Sequence, residues 1–86
     1  MMKKYTRLNQ LNNYLGKISD DRLKIHRDPS GYFWFYQTDS EYESNPRKES
    51  PESISICYIS QPSAAHWRWE LHTAVEQYDN EEWQRF

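Results

Sequence analysis

Residues 22 to 37 read RLKIHRDPSGYFWFYQ, in which the turn sequence DPSG (28–31) separates two segments of alternating side chains. Proline fixes the backbone angle φ that the second position of a type I turn needs, and glycine accepts the left-handed conformation of a three-residue hairpin loop. We therefore predict a β-hairpin whose loop is residues 29–31. Counting outward from this loop aligns the two segments residue by residue and ends at Leu23 opposite Gln37.

The predicted register separates the side chains of the hairpin onto two faces, because neighbours along a strand point in opposite directions. One face is apolar and predicts a core, formed by Leu23, Ile25, Phe33 and Phe35. The other is basic and aromatic. It is predicted to carry Arg22, Lys24, His26, Tyr32, Trp34 and Tyr36, and we call the last five of these residues the hairpin face.

A short amphipathic helix is predicted before the hairpin. Leu8, Leu11 and Leu15 recur at spacings of three and four residues, which is typical of one buried helix face. Thr6 is placed to cap the start of this helix and Gly16 to end it.

Two further elements are predicted after the hairpin. Ser53 to Ser60 alternates cleanly and predicts a third strand that points Ile54, Ile56 and Tyr58 toward the core. A second helix is predicted to begin after Ser63 as its N-cap residue. Its apolar stripe would cover the sheet and consists of Ala64, Trp67, Leu71, Ala74, Val75 and Tyr78.

These elements predict an α+β fold with two layers in the order α-β-β-β-α, in which two helices cover one face of a three-stranded antiparallel sheet. This order resembles that of double-stranded-RNA-binding domains, which carry a lysine cluster at the start of their second helix. At that position this chain reads AAHWRWE, where Arg68 is the only cation. The resemblance therefore covers the order of the elements and not the RNA-binding residues.

The 86 residues suffice for one small domain. Residues 38–52, TDSEYESNPRKESPE, are nearly free of apolar side chains and predict a mobile loop, with a recognition loop as the alternative. The last eight residues, 79–86, have the spacing of a capping box between Asp79 and Glu82. A short terminal helix and a docking tail both remain open for this segment.

Composition and charge exclude several classes of protein. The formal net charge of −2 gives no overall attraction to a polyanion. Cys57 is the only cysteine, which excludes an internal disulfide, and we expect it to be a small, partly buried thiol rather than a nucleophile. The chain shows neither a signal peptide nor an apolar run of the roughly 20 residues that a membrane span needs, so we expect a cytosolic protein.

The sequence contains no arrangement of side chains that indicates catalysis. His66 and His72 are six residues apart and do not share a helix face as a metal-binding pair would, and His26 is distant in sequence. There is no glycine-rich phosphate loop. We therefore expect a protein that is not an enzyme and that has no metal or cofactor.

The high aromatic content is the main indication of function. Trp69 follows Trp67 by two positions, or about 200° around a helix, and so points away from the core near His66. Trp83 and the rings of the hairpin face are also predicted to lie outside the core. Because Trp and Tyr are enriched at interface hot spots, we expect a regulatory or adaptor protein that binds another protein. Its predicted binding residues are Lys24, His26, Tyr32, Trp34, Tyr36, His66 and Trp69.

Two alternatives remain for the hairpin face. Its rings and cations would suit unstacked bases and phosphates, so RNA or single-stranded nucleic acid is the second candidate partner. The rings could instead form only cross-strand pairs with the aliphatic stems of the basic side chains, which would stabilise the hairpin without binding anything.

Overall fold

The computed structural model describes residues 3–37, 48–50 and 53–85 of the chain. It confirms an α+β fold with two helices and an antiparallel sheet. The elements in chain order are α1 (Leu8–Ser19), β1 (Leu23–Arg27), β2 (Phe33–Gln37), β3 (Lys48–Glu49), α2 (Ala64–Asp79) and β4 (Gln84–Arg85).

The central hairpin has the predicted register, with Leu23 opposite Gln37 at its open end. Gly31 takes the left-handed conformation with a φ of 99°. The Asp28 carboxylate supports the loop by accepting hydrogen bonds from the Ser30 amide (3.0 Å), the Ser30 hydroxyl (2.6 Å) and the Tyr32 amide (3.1 Å). The side chain that precedes the loop therefore satisfies donors that the strand ladder leaves unpaired.

The core lies between the helices and the apolar side of the hairpin, as predicted. The edge of the Trp67 ring packs against Phe33 with centroids 5.4 Å apart, and the Trp67 indole donates to the carbonyl of Ile59 at 2.7 Å. This bond satisfies the polar atom of a fully buried ring. The buried cluster consists of Tyr5, Leu11, Leu15, Leu23, Ile25, Phe33, Phe35, Ile54, Ala64, Trp67, Leu71, Ala74 and Trp83.

Helix α1 begins later than predicted. Its first residue is Leu8, and the side-chain oxygen of Gln10 accepts hydrogen bonds from the backbone amides of Thr6 (2.9 Å) and Arg7 (3.0 Å). The predicted cap at Thr6 is therefore wrong, because a side chain from the first turn satisfies the free amides instead.

Helix α1 also continues past Gly16 to Ser19, so the predicted end at Gly16 is wrong. Asp20 follows the helix in the left-handed conformation that usually selects glycine, with a φ of 53°. The backbone amide of Asp21 then donates to the carbonyl of Gly16 at 2.9 Å.

Polar side chains of α1 fasten it to the backbone of β1. The amide group of Asn12 accepts from the Ile25 backbone amide at 2.9 Å and donates to the Ile25 carbonyl at 3.2 Å. The Ser19 hydroxyl accepts from the Leu23 amide at 3.3 Å. These bonds set the position of α1 along the strand.

The predicted third strand is not formed by residues 53–60. Ile54 alone bridges to β2, through a 2.9 Å bond from its amide to the Phe33 carbonyl. Phe33 is the first residue of β2. The rest of this edge of β2 pairs with β3 and with Ser50, so the residues after Ile54 have no free strand edge to pair with. Tyr58, predicted to point inward, is 57% exposed, and the sheet has the order β1-β2-β3-β4.

The segments predicted as a loop and a tail also contribute to the sheet. Residues 38–47 and 51–52 of the predicted mobile loop lie outside the described residues, whereas Lys48–Glu49 pairs with β2 and Ser50 is buried. The tail turns back at Glu81, whose φ is 60°. Trp83, predicted to lie outside, is only 5% exposed, and Gln84–Arg85 pairs with β3.

Candidate functional site

The most exposed ring among the large hydrophobic side chains of the described residues belongs to Trp69 on α2, as the helical phase predicts. It is 61% exposed, because the buried stripe of α2 faces the sheet on the opposite side of the helix. The His66 ring lies 5.9 Å from the Trp69 ring at 36°, and its Nε2 is 3.7 Å from Oε1 of Glu70. We call His66, Trp69 and Glu70 the helix site.

A groove of about 200 Å³ adjoins the helix site. Its apolar lining comes from buried core residues and Trp69, and its polar lining comes from α2 and from Ser50 and Ser53. Six of its lining residues are Phe35, Ile54, Trp69, Glu70, Thr73 and Ala74.

Glu70 is a functional candidate that the sequence reading missed. Its side chain is only 21% exposed, and desolvation raises the pKa of its carboxyl, an effect that the nearby His66 partly offsets. The available signal was its position beside Trp69 and one helical turn after His66. A largely buried carboxylate in a groove is a more specific feature than an exposed ring alone.

The structure brings the five residues of the hairpin face together on β1, β2 and the adjoining loop. Lys24 lies opposite Tyr36 and His26 opposite Trp34, and the His26 and Tyr36 rings form an edge-to-face contact with centroids 5.1 Å apart. Tyr32 is 50% exposed. One cross-strand pair of the non-binding alternative, Lys24 opposite Tyr36, is therefore present on this face.

Trp34 also has a structural contact within the hairpin. Its indole donates to the Asp28 carboxylate at 2.9 Å, and the ring is half-buried. Hydrogen bonds to this carboxylate lower the pKa of Asp28, and the largest effect comes from the Ser30 hydroxyl. Smaller effects come from Trp34 and the backbone, and together these bonds outweigh desolvation, which raises the pKa. Trp34 is thus held by the turn, which the sequence reading did not predict.

The hairpin face is less basic than its sequence indicates. Desolvation and the adjacent Lys24 ammonium lower the pKa of His26, which disfavours the charged form of its imidazole. Arg22, predicted beside this face, turns to the end of α2, where it lies 5.3 Å over the Tyr78 ring and 3.7 Å from the Asp79 carboxylate. Lys24 is then the remaining cation of this face in the part of the chain that the structure describes.

A second depression, of about 420 Å³, lies beside the hairpin loop next to Tyr32. The Arg27 guanidinium in it donates to the carbonyls of Gly31 (3.2 Å) and Cys57 and covers the Phe33 ring at 5.1 Å. Cys57 is exposed rather than partly buried as predicted, because its segment leaves the sheet. Arg27 is engaged by the protein's own carbonyls.

The predicted binding residues thus form two sets. The hairpin face and the helix site lie on opposite sides of the sheet, since α2 packs on the apolar side of the hairpin through Trp67. His66 and Trp69 therefore do not join the five hairpin residues in one surface.

Across residues 3–37, 48–50 and 53–85, no group of three or more His, Cys, Asp or Glu side chains is placed to hold a metal ion. No helix in these ranges is both long and apolar enough to cross a membrane. Comparisons of the chain with protein-family models, curated proteins and solved structures give no match.

Proposed function

We propose that the protein is a small, non-enzymatic regulatory or adaptor protein that binds another protein through exposed aromatic residues, chiefly at the helix site. The observation that carries this proposal is the exposure of Trp69. Trp67 and Trp83 are buried and Trp34 is held by Asp28, whereas 61% of Trp69 faces solvent. An exposed indole beside a groove is typical of an interface hot spot.

Nucleic acid is the weaker candidate partner. Binding to phosphates needs clustered cations, whereas Arg22 contacts Asp79 instead of the hairpin face and desolvation disfavours the charged form of His26 by lowering its pKa. The net charge of −2 adds no attraction. The half-buried Trp34 also offers less ring area for base stacking than a free indole would.

The proposal is tested by capturing partners from an extract of the source cell with wild-type protein and with Trp69→Ala. A protein partner should be retained by the wild type, resist nuclease treatment, and lose at least about 2 kcal/mol of binding free energy with Trp69→Ala. The unfolding free energy should change by about 0.5 kcal/mol or less, as for an ordinary surface substitution.

Tyr58→Ala is the matched control, because that ring is similarly exposed (57%) and lies outside both sets. Partners should survive this change. Equal retention by Trp69→Ala and wild type would contradict the proposal, and retention that nuclease abolishes would favour nucleic acid instead.

A further inference from the structure

The groove beside Trp69 has the size of one long side chain. Its volume of about 200 Å³ is below the roughly 300–1,000 Å³ of typical small-molecule pockets. It is lined by the buried side chains of Phe35, Ile54 and Ala74, by Trp69 and Glu70, and by serine, threonine and glutamine residues. A side chain that fills the groove must therefore have an apolar stem that packs on the lining. It must also end in a group that pairs with the Glu70 carboxylate.

Within the described part of the chain, the Glu70 carboxylate has no partner apart from its loose contact with His66. Among the described residues no hydrogen bond reaches it, and the nearest basic side chain is His66, whose Nε2 lies 3.7 Å away. Arg68, two positions earlier on α2, lies about 200° around the helix axis and does not face it. A carboxylate that is largely withdrawn from water and weakly paired is stabilised by any cation that enters the groove.

The Trp69 ring favours the same kind of occupant. Tryptophan is the best aromatic side chain for binding a cation over its face, and the aliphatic stems of lysine and arginine also pack on apolar surfaces. An apolar side chain would leave Glu70 buried and unpaired, while an acidic one would be repelled by it. Anion, indole and apolar lining together select a basic side chain.

We propose that the groove between α2 and the residues Ser50, Ser53 and Ile54 binds the side chain of a lysine or arginine of the partner protein, which Trp69 covers and the Glu70 carboxylate pairs. This inference rests on the proposed function and specifies the chemistry of the partner. A segment of the partner with one basic residue among neutral or apolar neighbours would fit.

The test uses random-peptide display against the full chain, because the partner is unidentified. The peptides enriched on the wild type should share a lysine or arginine. Glu70→Gln should weaken their binding at least about tenfold, as expected when a hydrogen bond to a charged group is lost. Glu76→Gln is the matched control; it is exposed on the same helix, about 120° around the axis from Glu70, and should leave binding unchanged.

A double-mutant cycle isolates the proposed pair. Replacing the shared basic residue of the peptide by norleucine should weaken binding to the wild type as much as Glu70→Gln weakens binding of the original peptide. The same replacement should weaken binding to the Glu70→Gln variant only slightly. Enriched peptides without a common basic residue, or equal affinity for wild type and Glu70→Gln, would overturn the inference.

The outcomes separate this inference from the proposed function. Peptides that need Trp69 but not Glu70 would refute the basic-residue assignment and leave protein binding in place. If no enriched peptide depends on Trp69, both fail. The melting temperature of Glu70→Gln provides a further check: it should equal or exceed that of the wild type, and a clear loss would mean that the protein's own cation already fills the groove.

Discussion

At the scale of single residues, Asp28 links the stability of the hairpin to the placement of the Trp34 ring. One carboxylate oxygen accepts from both donors of Ser30 and from the Tyr32 amide, while the other accepts from the Trp34 indole at 2.9 Å. Turn and ring are therefore positioned by the same charge. Loss of that charge should affect both.

We expect Asp28→Asn to lower the melting temperature at pH 7, because the amide group cannot accept from both sides. The pKa of Asp28 is lowered by folding, so its contribution is present at neutral pH and is lost as the pH falls through its folded value. The difference in melting temperature between the variant and the wild type should shrink as the pH falls below about 4. Thermal unfolding across this range measures it, and equal melting temperatures at pH 7 would contradict the role of Asp28.

The hairpin was predictable because all of its information is local. Pro29, Gly31 and the alternation of the strands fix the loop and the register without any distant contact. The bonds from Trp34 to Asp28 and from Arg22 to Asp79 depend on side-chain direction and on tertiary structure. The face predicted from the hairpin register was therefore correct for Trp34 and wrong for Arg22.

At the scale of elements, α1 shows why glycine is an uncertain stop signal. Gly16 lies inside the helix, and the left-handed residue that follows the helix is Asp20. A Cβ at Gly16 would approach only the Asp21 carboxylate oxygen, at 2.7 Å, and that flexible group can move away.

Gly16→Ala should therefore stabilise the protein by about 0.5–1 kcal/mol, since alanine is favoured over glycine within helices. Gly31→Ala is the opposite control: no atom crowds that position, but a φ of 99° strains any residue with a side chain. Denaturant unfolding should give opposite signs for the two variants. Destabilisation by Gly16→Ala would show that Asp21 cannot move.

The C-terminal segment is joined to the core by one ring. Trp83 packs against Tyr78 (5.3 Å) and Phe35 (6.3 Å), whereas its indole nitrogen is buried with no hydrogen-bond partner in the described part of the chain. Its contribution to stability thus comes from packing and not from its polar atom.

Trp83→Ala should cost about 3–5 kcal/mol, as for other large buried rings. Trp83→Phe should cost much less, because it keeps an aromatic ring and removes an unsatisfied N–H group. Chemical denaturation of both variants measures the difference. A Trp83→Ala variant as stable as the wild type would mean that the tail does not belong to the core.

At the scale of the whole molecule, the predicted layers were correct where periodicity alone decides them. The stripe of α2 and the apolar side of the hairpin form one core around Trp67 and Phe33. The prediction of a third strand was wrong. Residues 53–60 alternate like a strand, but they pair with β2 only at Phe33, the first residue of β2. Which of several segments occupies a sheet edge depends on the competition among them.

The bonds from Asn12 to Ile25 have a consequence for the molecule in solution. An uncovered strand edge is a template on which other chains add, and it is a common starting point of aggregation. Asn12 occupies the amide and the carbonyl in the middle of β1, and Ser19 occupies the amide at its start. Asn12→Ala should therefore self-associate with rising concentration, as light scattering would detect, whereas the exposed neighbour Asn13→Ala should stay dispersed. We therefore expect a single carboxamide to keep separate copies of this chain from joining through this strand edge.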